Sequence, residues 1–142
     1  MPDLLIVFID SNILFSTCYR TPNLFERLWA ISNVRIVTAD YCVDEVRRNC
    51  RSSEQRARLD QWLSRTQIVE DCPANDLPET LMLPAKDVPV LAAAARCKAD
   101  ILITGDQNHF GRYYGHRVLG VLIESSEMFR SRFPDIFRRQ TS

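Results

Sequence analysis

LLIVFIDSN (residues 4–12) and ILITGDQNHFG (residues 101–111) share the form that decides the fold. Each is a continuous apolar run that ends in a short polar stretch holding an aspartate, Asp10 in the first and Asp106 in the second. The run over residues 4–9 mixes β-branched and aromatic side chains with no polar alternation, which is how a strand buried on both faces reads. Such strands belong to parallel sheets covered by helices on both sides. Asp and Gly are also ordinary punctuation after a strand, so neither aspartate decides anything alone.

Working outward, residues 11–19 read as helical. TPNLFERLWAIS (residues 21–32) predicts a helix with Thr21 as N-cap and Pro22 at its first position. Leu24, Leu28 and Ile31, joined by Phe25 and Trp29, give it a core face. VRIVTAD (residues 34–40) predicts a second strand, and DYCVDEVRRNC (residues 40–50) a helix capped by Asp40, with Cys42, Val46 and Asn49 near one face. SSEQRARLDQWLSR (residues 52–65) is amphipathic through Leu59, Trp62 and Leu63. TQIVED (residues 66–71) is a short strand, and residues 71–86, with three prolines, are a loop. DVPVLAAAARCKA (residues 87–99) has strong helix propensity and Asp87 at its N-cap. RVLGVLIE (residues 117–124) contains one more strand, SSEMFRSRF (residues 125–133) a helix capped by Ser125 or Ser126, and residues 137–142 a frayed tail. No repeat or linker divides the chain. The alternation predicts one α/β domain over residues 1–142, with a central, mainly parallel sheet of four to five strands, helices on both faces and right-handed connections.

The formal net charge of the 142 residues is zero, so no global field draws in nucleic acid. Sixteen arginines stand against two lysines, Lys86 and Lys98, a bias that suits bidentate phosphate contacts and equally an ordinary solvated surface. The five cysteines are scattered without a CxxC pair, and His109 and His116 form no HExxH, so neither a zinc ribbon nor a zincin is supported. The cysteines fall mostly in apolar stretches and read as small core residues. MPDLLIVFID (residues 1–10) has no basic leader, and its apolar run is far too short to cross a bilayer. These features predict a cytoplasmic chain with no membrane partner.

Ligands of open parallel sheets sit beyond the carboxyl ends of the strands, where Asp10 and Asp106 both fall. Glu45 lies about one turn into its helix and can face the same cleft; Asp44 is about 100° around that helix, and the apolar pattern does not choose between them. Asp87 opens a helix that runs antiparallel to the strands, which we expect to place it at the opposite edge unless the preceding loop crosses the sheet. Each residue also has an ordinary reading: Asp10 as a strand end, Asp87 as an N-cap, Glu45 as a solvated charge, Asn12 as the cap of the next helix, His109 and His116 as loop decoration.

The segments FIDSN, DEVRRN, DVPVLAAA and LITGDQNHF, in this order and separation, resemble the motifs of the PIN domain family. The likeness extends from residue 4 to about residue 126. It implies a small α/β fold with a central parallel sheet and the activity of a metal-dependent endoribonuclease, with VapC-type toxins of toxin–antitoxin pairs among its members. The family's acids fall on Asp10, Glu45, Asp87 and Asp106, which the resemblance makes the catalytic and metal-holding set and gathers in one cleft. Asn12 and Thr104 fall on accompanying polar positions. Asn108 stands where many members carry a further acid, which favours one metal over two.

Four carboxylates in one cleft repel one another and raise their own pKa values unless a cation neutralises them. Oxygen donors suit Mg²⁺ or Mn²⁺. Such an ion generates a nucleophile from water and offsets developing phosphoryl charge; with the family resemblance, the expected reaction is hydrolysis of RNA to a 5′-phosphate and a 3′-hydroxyl. Asn12, Thr104 and Asn108 are candidates to support the acids or face the phosphate, and Arg47, Arg48 and Arg112 to meet the RNA. Single-stranded or looped RNA is the expected substrate, with an antitoxin protein and a second copy of the chain as expected partners. An RNA-processing PIN nuclease that is not a toxin, and a PIN fold kept only for binding, are the alternatives. A phosphatase of the haloacid dehalogenase type wants a second aspartate where Asn12 stands, and a receiver domain wants a lysine after its last strand, where this chain has none.

Overall fold

In the computed structural model, which describes residues 4–19, 24–70 and 81–138, the first apolar run forms β1 (Leu5–Ile9). It is followed by α1 (Ser11–Phe15), β2 (Val34–Ala39), α2 (Asp40–Asn49), α3 (Ser53–Leu63) and β3 (Gln67–Val69). Then come α4 (Val88–Arg96), β4 (Ile101–Ile103), α5 (Gln107–Phe110), β5 (Arg117–Val118), β6 (Val121–Glu124), α6 (Ser126–Arg130) and α7 (Pro134–Phe137). The strands form one sheet in the order β3-β2-β1-β4-β6-β5. The first five are parallel, and β5 runs antiparallel to β6 at the edge.

The central strands are buried on both faces, as their unbroken apolar composition requires. Val7 and Ile9 of β1, with Ile101 and Ile103 of β4, point into one core with Ile13, Leu14, Val46, Leu59 and Phe129. Phe8 and Leu102, one residue out of phase, point into the other with Val90, Leu91, Ala94, Phe110 and Ile123. The period-two alternation of a strand thus feeds two hydrophobic layers instead of one core and one wet face.

Several expectations are corrected. The sheet has six strands, because residues 117–124 form a hairpin and not one strand. Its two-residue turn puts Leu119 and Gly120 at φ 53° and 83°, the doubly positive backbone that matches the twist of a hairpin. Residues 24–30 form a 3₁₀ helix. Phe25, Leu28 and Ile31 are spaced by three, so three residues per turn stacks them along one line facing the core. Asp40 is the first residue of α2 and not its cap; Ala39 occupies the cap position with no side-chain bond. Asn49 follows Cys42 and Val46 at helical spacing, as expected, but is itself exposed at the end of α2. Phe137, expected to begin a frayed tail, is buried in α7 against the first core.

Cys18, Cys42 and Cys50 are buried free thiols and Cys97 is half-buried, as expected of small core residues. Burial pushes the Cys42 thiol up to about 12. The proposed cap at Thr21 with Pro22, most of the proline-containing loop, Cys72 and residues 139–142 lie outside the described residues. Among the described residues, no helix is long and apolar enough to cross a membrane.

Candidate functional site

The chain leaves β1 toward β2 on one side, while β4 pairs with β1 on the other. Two neighbouring strands whose connections diverge leave a crevice at their carboxyl ends. Asp10 follows β1 and caps α1: its Oδ1 accepts the Ser11 amide at 2.7 Å. Its Oδ2 accepts the Thr104 hydroxyl at 2.8 Å, from the residue just past β4. Thr104 Oγ1 in turn accepts the Asp106 amide at 3.2 Å, so one buried hydroxyl ties the two aspartates together. Asn12 Oδ1 accepts the Gly105 amide at 2.7 Å. A Cβ at position 105 would stand 3.3 Å from that oxygen, so the glycine allows this close crossing. Tyr114 closes the back by donating its hydroxyl to the Thr104 carbonyl at 2.8 Å.

Asp87 joins this edge, and the expectation that it starts on the opposite one is corrected. A helix antiparallel to the strands carries the chain back to the beginning of the next strand, so α4 must begin at the carboxyl edge and end near the start of β4. Asp87 occupies the N-cap position, but its side chain makes no capping bond. It is 7 % exposed and turns toward α5 instead. There His109 Nδ1 lies 2.6 Å from Asp87 Oδ2 and 2.7 Å from Asp106 Oδ2. Both contacts have the length of a hydrogen bond without its direction, and Asp87 Oδ2 and His109 Nδ1 remain buried without a satisfied hydrogen bond. Three separate elements thus bring one donor atom each to the same place. Asp106 Oδ1 is occupied separately, accepting the His109 amide at 3.2 Å as the cap of α5.

Glu45 reaches the cleft from α2. The helix phase that the sequence left open is resolved: Glu45 is half-buried and lines the cleft, while Asp44 is exposed. The cleft encloses about 240 Å³, with Asp10, Asn12, Glu45, Lys86, Asp87 and Asp106 among its walls. Burial pushes the Asp10 carboxyl up to about 6 against the pull of its Thr104 and Ser11 hydrogen bonds, and the charges of Asp87 and Glu45 add to the rise. Asp87 is also raised, by burial first; the His109 ring opposes that rise, and the Asp106 charge adds to it.

No protein-family model and no curated protein matches the sequence. The likeness to known proteins is in three dimensions. VapBC2 from Rickettsia felis, solved bound to a DNA fragment from their promoter, matches with a TM-score of 0.65 at 19 % identity, covering 85 % of this chain and 98 % of that one. The chain has the PIN-domain fold. PAE2754 from Pyrobaculum aerophilum matches with a TM-score of 0.61 at 16 % identity, covering 91 % of this chain and 89 % of that one.

Within this PIN fold, Asp10, Glu45, Asp87 and Asp106 line one cleft, with Asn12 and Thr104 bonded to the acids or to the backbone that carries them. Asn108 and Arg48 are exposed and do not line it. Arg47 pairs with Asp60 at 3.0 Å, and Arg112 contacts the Met82 sulfur at 2.8 Å. Lys86, beside Asp87, is the cation that lines the cleft among the described residues. Lys86 and Tyr41 also line the cleft, without any sequence expectation, and His109, expected as loop decoration, meets two of the acids instead. The signal for His109 was its position three residues after Asp106, which one helical turn brings to the same side. Buried oxygens gathered this closely can hold a dication, and an open polar cleft beside them can admit a backbone phosphate.

Proposed function

We propose that this chain is a metal-dependent endoribonuclease, the toxin of a toxin–antitoxin pair. The observation that carries the reading is the convergence of four carboxylates, from Asp10, Glu45, Asp87 and Asp106, on one cleft at the β1/β4 switch point. The site chemistry fits a small dication: the donors are oxygens, and two of the acids are held above the ordinary carboxylate range by burial and by one another. Asp10, Asp87 and Asp106 would hold Mg²⁺ or Mn²⁺, with Glu45 binding directly or through water. When bound, the ion would supply an activated water and stabilise charge on the phosphoryl oxygens.

The chain's own groups divide the remaining work. Glu45, half-buried and without the hydrogen bonds that fix Asp10, orients the attacking water and accepts its proton. Lys86 meets the phosphate that enters beside Asp87. Thr104 and Asn12 hold Asp10 and the Gly105–Asp106 backbone in place, so the acids do not move apart when the charge changes. Single-stranded or looped RNA suits an open cleft because its backbone can be splayed into it, and hydrolysis there leaves a 5′-phosphate and a 3′-hydroxyl. The likeness to VapBC2 supports the toxin assignment and an antitoxin protein as partner.

The test is cleavage of 5′-labelled single-stranded RNA with Mn²⁺ or Mg²⁺, beside a chelator control and Asp106→Asn. Cleavage that requires both the ion and Asp106 is the expected result. Cutting that survives chelation and the substitution overturns the proposal. Growth arrest on expression, relieved by an antitoxin, separates a toxin from a housekeeping nuclease.

A further inference from the structure

We propose that His109 is itself a ligand of the site, through Nδ1, and that it shifts the preference of the cleft from Mg²⁺ toward transition-metal dications such as Mn²⁺. This rests on the metal-dependent reading above and names the donor that sets its ion.

Three observations lead there. Asp87, Asp106 and His109 each offer one donor atom, and the three atoms lie within 4.8 Å of one another although they come from the start of α4, the end of the β4 loop and α5. The two nitrogen–oxygen separations, 2.6 and 2.7 Å, are close to the spacing of adjacent ligands around an ion with bonds of about 2.1 Å, which is about 3 Å. Both separations are shorter than that spacing by a few tenths of an ångström, so the ring and the two carboxylates would part by that much to share an ion. The second observation is that Asp87 Oδ2 and His109 Nδ1 are buried with no satisfied hydrogen bond, although they touch. Unsatisfied buried polar atoms are costly and rare, and a shared electron-pair acceptor removes the cost at both atoms together. The third is a division of labour in the Asp106 carboxylate: Oδ1 caps α5 through the His109 amide, which leaves Oδ2 facing the imidazole and Asp87. The cap therefore also fixes where the ring stands.

The chemistry gives the direction of the preference. Mg²⁺ takes oxygen ligands and keeps its waters, whereas transition dications accept imidazole readily. A mixed set of carboxylates and one imidazole discriminates in their favour. The competing account is electrostatic: a charged imidazolium held between two carboxylates would take the place of a cation and exclude one.

The two accounts differ in an experiment on the full chain. Mn²⁺ and Mg²⁺ are titrated by calorimetry into metal-free wild type, His109→Ala and His109→Gln, and pulsed electron paramagnetic resonance of the Mn²⁺-loaded wild type, with and without isotope-labelled histidine, tests for a directly bound ring nitrogen. The wild type should show that nitrogen, and Mn²⁺ affinity should fall by about ten-fold or more in both variants while Mg²⁺ affinity changes far less. Mn²⁺ bound without a ring nitrogen, or variants that bind both ions as well as or better than the wild type, overturns the role of His109 and leaves the nuclease reading standing. A wild type that binds neither ion overturns both. The resonance measurement uses unmutated protein, so it decides the question even if a variant folds poorly.

Discussion

Asp10 shows what the site costs. Its carboxyl is 3 % exposed and its pKa is raised from 3.8 to about 6, so the folded state prefers the protonated form. The sign follows directly. At low pH the group is protonated in both states and carries no penalty. As pH climbs from 3.8 through about 6, the unfolded chain releases the proton first and stability is lost; above that window the loss is complete, on the order of 3 kcal/mol. Asp10→Asn removes the ionisation and can still accept the Ser11 amide. In chelator, its stability relative to wild type should therefore rise between pH 4 and pH 7, as urea denaturation at the two values would measure. An unchanged difference would mean that the acid is not strained. The same scale shows what a sequence can reveal. Asp10 and Asp106 announce themselves because strand ends are visible in hydropathy. Asp87 looks like an N-cap and sits in one, but the direction its side chain takes depends on His109, a partner 22 positions away. His109 itself was read as loop decoration, since nothing local marks a ring that meets a carboxylate from another helix.

At the scale of elements, long apolar or strongly periodic segments were legible: β1, β2, α2, α3 and α4 fall where hydropathy and propensity place them. The short ones were not. Residues 117–124 hid a hairpin because its turn is Leu-Gly and not the Asn-Gly or Asp-Gly that usually signals a doubly positive backbone. Leu119 adopts φ 53° while 43 % exposed, so it accepts an unfavourable conformation with little burial in return. Leu119→Asn should raise stability by about 0.5–1 kcal/mol, because asparagine tolerates that region more readily. Gly120→Ala should lower it by about 1 kcal/mol at φ 83°, although nothing lies within 4 Å of the added methyl. Thermal melts of the two variants check the pair; a neutral Leu119→Asn would show that its side chain contributes more than its backbone costs. The 3₁₀ helix over residues 24–30 illustrates the other kind of miss. Spacings of three and four coexist there, and tertiary packing of Phe25, Leu28 and Ile31 selects the tighter winding.

For the whole molecule, the formal net charge of zero conceals a sharply uneven distribution, with four acids in one cleft and Lys86 the lining cation among the described residues. Folding brings these acids together and unfolding releases them, so a dication that binds only the assembled site must stabilise the fold. At a concentration about one hundred times its dissociation constant, Mn²⁺ should add about 2.7 kcal/mol and raise Tm by roughly 5–10 °C. The rise should be reversed by chelator and diminished in Asp106→Asn, with differential scanning fluorimetry as the readout; an unmoved transition at saturating ion would remove the basis for a shared site. The order β3-β2-β1-β4-β6-β5 explains why this cluster forms at all. It could not be read from any one segment, because it depends on which strands become neighbours.

The Thr104 bridge between Asp10 and Asp106 has a dynamic consequence. The Asp10 amide itself donates to the Ile103 carbonyl at 3.0 Å, continuing the ladder of the two innermost strands directly into the cleft. Amides on such a ladder exchange with solvent only when the deepest part of a domain opens, unlike those of surface loops. Asp10, and Asp106 through Thr104, should therefore belong to the slowest-opening unit of the molecule. Heat should abolish their geometry in the same cooperative event that melts the core, with no earlier step in which the cleft loosens while the sheet survives.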